Sequence, residues 1–198
     1  MSKKIALLPG DGIGREVIAT AWQVVKKATT IELESREFDL GSERYLKTGE
    51  VFPEAEKEAL KEFDAVYLGA LGDPRVKPGV LERGILLALR FEFDQFANLR
   101  PLKLYRADLT PLKGVDHIDV MFFRENTEDL YVGAGGILKK GTADEVALQE
   151  LIQTRKGVER IIRYAFEWAK NEGRKKVTLI DKSNVLTFAH DLWQRVFW

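Results

Sequence analysis

Five side chains have the types and positions to hold a small, multiply charged acid and move its protons: Arg90, Arg100, Arg124, Tyr131 and Lys182. A guanidinium meets a carboxylate through two parallel N–H donors, so three of them can orient such an acid by its ends. A phenol and an ammonium can exchange protons with it once neighbouring charges have moved their pKa values. Each residue also has a plainer reading. Arg90 can pair with Asp94 at i,i+4 spacing on a helix surface, worth about a few tenths of a kcal/mol. Arg100 can be a surface residue, Tyr131 can simply pack, and Lys182 sits between two cap residues. Their convergence at the ends of apolar runs favours a site, because α/β proteins bind ligands beyond strand ends.

The elements that position them follow from periodicity. Leu86, Leu89, Phe93 and Phe96 recur at three- and four-residue spacing and predict a helix from Leu81 to Asn98, with Arg90 on the edge of its buried stripe. Pro101 forces Arg100 into an extended conformation. Arg124 closes the apolar run Ile118 to Phe123, and Lys182 follows the run at residues 175–180; both runs predict strands, as do Ile5 to Leu8, Ile31 to Phe38 and Asp64 to Ala70. Gly10-Asp11-Gly12-Ile13-Gly14 turns the first strand into a helix whose apolar face reads Ile13, Val17, Ala21, Val24 and Val25. That loop is either a tight structural turn or an anion cradle of free backbone N–H groups, and its G-x-G-x-G pattern differs from the dinucleotide fingerprint G-x-G-x-x-G.

Short helices are expected at residues 41–49 and, after Pro53, from Glu54 to Lys61. Gly72 to Gly79 is a Gly/Pro loop too long for a mere connector and reads as a binding loop. Pro101 to Gly114 is the expected crossing between domains. The glycine-rich stretch from Gly133 to Glu150 reads as a projecting arm. Val158, Ile161, Ile162, Ala165, Phe166 and Ala169 mark an amphipathic helix, and a last helix runs from about Leu186 to Trp198, with Asp181 and Ser183 as candidate caps. His190 reads as a helix-surface residue, and neither it nor His117 gives a metal signal.

Composition bounds the function classes. Lys plus Arg and Asp plus Glu both number 31, so no net positive field gathers nucleic acid or an anionic membrane, and the arginines matter by local placement. The absence of cysteine removes thiol nucleophiles, Cys-zinc sites and disulfides and fits a cytoplasmic setting. The apolar run after Lys3 and Lys4 is stopped by Pro9 and Gly10, far short of a signal sequence, and no run spans a bilayer.

Four segments in this order, Leu8-Pro9-Gly10-Asp11-Gly12-Ile13-Gly14-Arg15-Glu16-Val17, Asn98-Leu99-Arg100-Pro101, Arg124-Glu125-Asn126-Thr127-Glu128 and Asp181-Lys182-Ser183-Asn184-Val185, closely resemble the β-decarboxylating dehydrogenases. That family includes the 3-isopropylmalate, isocitrate, homoisocitrate and tartrate enzymes. The resemblance implies an α/β protein with an isopropylmalate dehydrogenase-like mixed sheet in two domains. Residues 1–101 would form the first, on the cofactor side, and residues 102–198 a second that carries the dimerisation arm and is incomplete at its C-terminus. It further implies that Arg90, Arg100 and Arg124 bind the carboxylates of a 2-hydroxy diacid, that Tyr131 is the acid on the enol left after loss of carbon dioxide, and that Lys182 helps take the hydroxyl proton as hydride goes to NAD.

Ile13, Asp73 and Asn184 match cofactor-contacting positions of the family, Asn184 is a substrate contact as well, and Lys182 and Asn184 would reach into the partner subunit's site in a homodimer. The implied cofactors are NAD and Mg2+ or Mn2+, with the metal-binding aspartates expected downstream and none within these residues. Glu82 stands eight residues before Arg90, where many isopropylmalate enzymes lead one to expect seven, and is not assigned their nicotinamide-contacting role. Leu86 and Leu87, one turn before Arg90, point to an apolar third substituent and hence to 3-isopropylmalate, although a leucine run in a helix also serves packing. The expected reaction is NAD-dependent oxidative decarboxylation of 3-isopropylmalate to 2-oxo-4-methylpentanoate in leucine biosynthesis. The rivals are a sibling enzyme for homoisocitrate, isocitrate or tartrate, or a non-catalytic binding or regulatory subunit.

Overall fold

The computed structural model describes residues 2–198, a mixed α/β chain that divides into two compact units, Met1–Leu89 and Arg90–Trp198. In the first, β1 (Lys3–Gly10) is flanked by β2 (Leu33–Glu37) and β3 (Ala65–Ala70) in a parallel three-stranded sheet of order β2-β1-β3. The central strand takes the most apolar run, and Ala6 and Leu8 are fully buried. Helix α1 (Ile13–Ala28) crosses the sheet through Ile18 and Trp22, which pack with Leu7 and against Ile5, Leu33 and Tyr67. Each of these large side chains stabilises the unit by about 1.5–3 kcal/mol on burial.

The rotation of α1 differs from the expected one. Its buried residues are Gly14, Ile18 and Trp22, whereas Ile13, Val17 and Val24 are 67%, 49% and 60% exposed. Both sets recur at helical spacing, so periodicity cannot choose between them. Close approach does: a Cβ on Gly14 would stand 2.2 Å from the Pro9 carbonyl oxygen and 2.7 Å from Ala70 N, so only the glycine stripe can face the sheet.

The remaining helices of this unit are α2 (Ser42–Thr48) and α3 (Glu54–Leu60), followed after the 72–79 loop by a π-helical turn, Glu82–Leu87, that runs straight into α4 (Ala88–Glu92). Here the predicted helix to Asn98 is corrected. The helix stops at Glu92, Asp94 adopts left-handed backbone (φ 42°), and residues 97–103 form β4 (Ala97–Lys103). Phe93 and Phe96 match helical spacing, but seven consecutive residues of β4 find antiparallel partners on β5 (Asp119–Glu125), and that pairing overrides the local period.

In the second unit, α5 (Arg155–Asn171) covers one face of the β4–β5 hairpin. Val158, Ile161 and Ile162 form the core with Phe96, Ala97 and Phe123, and the Phe123 ring meets Tyr164 and Trp168 at 5.7 and 5.4 Å. The Thr154 hydroxyl caps α5 by accepting from Gly157 N–H at 2.9 Å, and α6 (Ala189–Phe197) adds Leu192, Trp193, Val196 and Phe197 to the same cluster. Residues 135–149 form an antiparallel pair, β6 (Gly135–Leu138) with β7 (Val146–Gln149), in which every residue is exposed, in keeping with a projecting arm.

The strand expected at residues 175–180 does not form; Ile180 is 76% exposed. A strand exists by pairing, and among the described residues no strand pairs with this segment. Among the described residues no helix is long and apolar enough to cross a membrane.

Candidate active site

Alternation along the hairpin decides which side chains meet. Asn98 pairs with Arg124 and Arg100 with Phe122, so these four share one face, opposite the Phe123 face that α5 covers. Phe122 is accordingly 40% exposed. Beyond β5 a short 3-10 turn, Leu130–Val132, is bounded by left-handed Asp129 (φ 67°) and Gly133 (φ 70°), and it returns Tyr131 toward Arg124.

The phenol lies between two cations. Arg124 donates from Nη2 to the Tyr131 hydroxyl, and its guanidinium carbon stands 4.9 Å from the ring centroid; that of Arg90 stands 5.1 Å from the same centroid. Partial burial pushes the Tyr131 phenol up, but the hydrogen bond and charge of Arg124, joined by those of Arg90, outweigh it and hold the pKa below the ordinary tyrosine value. The i,i+4 reading of Arg90 is excluded, because both Asp94 carboxylate oxygens accept from Arg160 Nη1 at 2.8 Å. Arg90 Nη1 is buried and has no hydrogen-bond partner. A buried donor left unmade costs about 1–3 kcal/mol, which an incoming carboxylate would recover. Arg100 is exposed on the same sheet face, and its Nε donates to Asn98 Oδ1 at 3.1 Å. Asn98 is a member of this face that sequence reasoning missed; it was visible only as part of a motif. A cavity of 490 Å3 lined by Asp94, Asn98, Asn126 and Tyr164 among others includes none of the three arginines.

The structure does not bring Lys182 or Asn184 to this cluster. Both are exposed in a turn where Val185 and Leu186 N–H donate to the Lys182 carbonyl at 3.0 and 2.9 Å. Lys182 N–H donates to His190 Nδ1 at 2.7 Å, so His190 is a half-buried acceptor that fixes the start of α6 rather than a free surface residue. Asp181 accepts from Gln194 at 2.5 Å and from Ser183 N–H, and its carboxyl sits below the usual range because of those bonds, the first foremost.

In the first unit, the acid of the glycine loop is tied into the surrounding loops. Asp11 is 3% exposed and its carboxylate accepts from Ser42 N–H and Ser42 Oγ at 2.7 Å and from Gly72 N–H at 2.9 Å. Asp73 is held by Arg75, which donates from its own N–H and its guanidinium at 2.7–2.9 Å and keeps the Asp73 carboxyl well below the usual carboxylate range. Ile13, by contrast, is open at the start of α1. Leu86 and Leu87 are half-buried, while Ile85 and Leu89 of the same run are core. The run passes through the π turn, which holds one residue more between bonded groups than an α turn; Glu82 itself accepts from Gly79 N–H at 2.9 Å.

Of the three residues expected to meet the cofactor, Ile13 and Asn184 are exposed, whereas the Asp73 carboxylate is already engaged by Arg75. Among the described residues no three His, Asp or Glu side chains stand together.

Residues 4–198 match the model of the isocitrate/isopropylmalate dehydrogenase family. The chain belongs to that family. A 3-isopropylmalate dehydrogenase of Bifidobacterium longum is 51% identical over 195 residues, covering 98% of this chain and 57% of the relative, and one of Thermobifida fusca is 50% identical over 198 residues. Among solved structures, an isocitrate dehydrogenase from Methylococcus capsulatus superposes with a TM-score of 0.83 at 31% identity, covering 98% of this chain and 56% of that one. A β-decarboxylating dehydrogenase from Thermococcus kodakarensis gives 0.70 at 33% identity, covering 98% and 53%. The chain thus spans little more than half the length of these relatives, and it shares with them the mixed α/β fold.

Proposed function

We propose that the protein carrying this chain oxidises 3-isopropylmalate at its secondary alcohol, passes hydride to NAD, and releases the β-carboxylate as carbon dioxide, yielding 2-oxo-4-methylpentanoate for leucine biosynthesis. The observation that carries the proposal is the Tyr131 phenol held between the Arg90 and Arg124 guanidiniums, with Arg90 Nη1 buried and without an acceptor. That arrangement supports a site for a carboxylate next to a tuned proton donor.

In this reading Arg90, Arg100 and Arg124 bind and orient the two carboxylates through their forks. NAD, once bound, supplies the hydride acceptor, with Ile13 and Asn184 as its contacts from this chain. Tyr131 donates its phenolic proton to the enol carbon after decarboxylation, a transfer helped by a pKa below the ordinary value. Lys182 takes the hydroxyl proton as its neutral amine, the form favoured by the cations of the assembled site; its exposed side chain suits a residue that serves the site of a second copy, so the working unit is a homodimer. Half-buried Leu86 and Leu87 leave an apolar contact for the isopropyl group. No step is assigned to a metal through these residues. The protein is placed in the cytoplasm.

A sibling substrate is the second reading, since one similar structure is of an isocitrate dehydrogenase. The test is NAD reduction by the longest reading frame containing this sequence, with manganese or magnesium, offered isopropylmalate, isocitrate, homoisocitrate and tartrate in parallel. Turnover of isopropylmalate alone is expected. Preference for another acid reassigns the substrate, and silence on all four favours a binding or regulatory subunit.

A further inference from the structure

We propose that Arg160 is a positioning residue for the substrate site, fixing the turn that ends the Arg90 helix against the loop between Arg124 and Tyr131 and so setting how the two guanidiniums flank the phenol. The identity of the acid rests on the function proposed above; the geometry of Arg160 does not.

Arg160 projects from α5 with its side chain 21% exposed. Its Nη1 donates to both Asp94 oxygens at 2.8 Å, and its Nη2 donates to Thr127 Oγ1 at 2.7 Å. The guanidinium also lies 4.5 Å from the centroid of the Phe96 ring. One side chain therefore grips residues on both arms of the site: Asp94 and Phe96 follow Arg90, and Thr127 lies between Arg124 and Tyr131.

Asn126 also ties the arms, donating from its N–H and Nδ2 to the Phe96 and Gln95 carbonyls at 3.0 and 3.1 Å, and Arg160 adds a side-chain brace to each. Asp94 holds left-handed backbone (φ 42°), a conformation that costs an L residue energy and persists only where surroundings impose it. The Gln95 N–H that follows returns to the Arg90 carbonyl at 2.8 Å, so a shift at Asp94 is carried directly into the last turn of the Arg90 helix. On the other arm Thr127 relays the contact. Its hydroxyl accepts from Arg160 and donates to Glu125 Oε1 at 2.7 Å, and Glu125 is 8% exposed and also accepts from Thr127 and Glu128 N–H at 2.9 and 2.7 Å. Arg160 Nη2 stands 3.6 Å from Glu125 Oε1 and offsets that buried negative charge. A lysine in its place keeps the charge but reaches one arm only, because it lacks the planar fork.

The experiment uses the full-length protein with Arg160→Lys and, separately, Asp94→Asn, which tolerates left-handed backbone and removes only the charge. Two quantities are read: KM against kcat for isopropylmalate, and the pH titration of the Tyr131 phenolate by ultraviolet absorbance, taken as the difference from the same background carrying Tyr131→Phe. Arg160→Lys is expected to raise KM roughly tenfold to a hundredfold with a smaller change in kcat. It should also move the Tyr131 titration upward toward the ordinary tyrosine value, and Asp94→Asn should do the same to a smaller extent. A folded Arg160→Lys protein with wild-type KM and wild-type titration overturns the proposal. So does a lowered melting temperature with the titration unmoved, which would make Arg160 merely structural. If Arg160→Lys does not fold, Asp94→Asn carries the same test. Should the wild-type protein oxidise none of the four acids, the proposed function fails while the titration still decides the role of Arg160.

Discussion

The Asp11 and Asp73 carboxylates of the first unit and the three arginines of the second are treated in opposite ways. In Met1–Leu89, Asp11 is buried with its carboxylate filled by Ser42 and Gly72, and Asp73 is clasped by Arg75. In Arg90–Trp198, Arg90 keeps a buried donor with no acceptor, Arg100 is exposed, and Arg124 is engaged by a neutral phenol rather than a carboxylate. Charges saturated by their own loops hold the backbone in place, whereas cations left without a counter-charge are the ones positioned to receive an anion.

Tyr131→Phe should break this contrast most visibly. It is expected to lower kcat of the full-length enzyme by about 10²–10⁴-fold while sparing KM for isopropylmalate, as for loss of a general acid; wild-type turnover would remove Tyr131 from the mechanism. The pH profile sharpens the point. Because Tyr131 acts protonated, the rate should fall as pH rises through its native pKa, which lies below the ordinary tyrosine value, and Tyr131→Phe should lack that limb. In stability the sign is reversed. The unfolded chain keeps the proton to higher pH than the native one, so the Tyr131 contribution grows as pH rises from the native pKa to the ordinary value.

Asp11→Asn comes next and should act on stability alone. An amide offers one acceptor oxygen where the carboxylate serves Ser42 and Gly72 with two, so a buried group is left unmade at a cost of about 1–3 kcal/mol. Thermal unfolding should report the loss. A raised KM for isopropylmalate at wild-type melting temperature would instead give the first unit a direct binding role and erase the contrast.

Arg100→Lys, in the second unit, should do the reverse: a rise in KM of about tenfold from the lost fork, with the melting temperature unchanged. An unaltered KM would leave Arg100 as a surface residue. The smallest effect is expected at the Arg174–Asp119 pair, which is paired at 3.0 Å yet well exposed. Arg174→Ala should shift the melting temperature barely detectably at physiological salt. What the pair contributes is present at neutral pH and is lost as pH falls through the native pKa of Asp119, which its hydrogen bond to Arg174 lowers. A large shift there would mean that saturated surface charge matters more in this protein than the contrast allows.

Much of the site was legible in the residues. The arginines and Tyr131 were marked by type and by their places after apolar runs, and the structure gathers Arg90, Arg124 and Tyr131. Asn98 and Arg160 were not marked. An asparagine in a strand and an arginine beside the apolar stripe of a helix carry no signal until the register with β5 and the contact with Asp94 are known.

The sequence by itself determined the local elements: the β1–loop–α1 unit, the amphipathic α5, the exposed arm, and the family that its motifs identify. Tertiary structure alone decided which apolar stripe of α1 is buried, where the Arg90 helix yields to β4, and that Asp94 belongs to Arg160 rather than to Arg90. The physical reason is one of range. Capping, turn chemistry and helical period act within a few residues, whereas strand pairing, helix rotation and the choice of salt-bridge partner depend on atoms that only folding brings near.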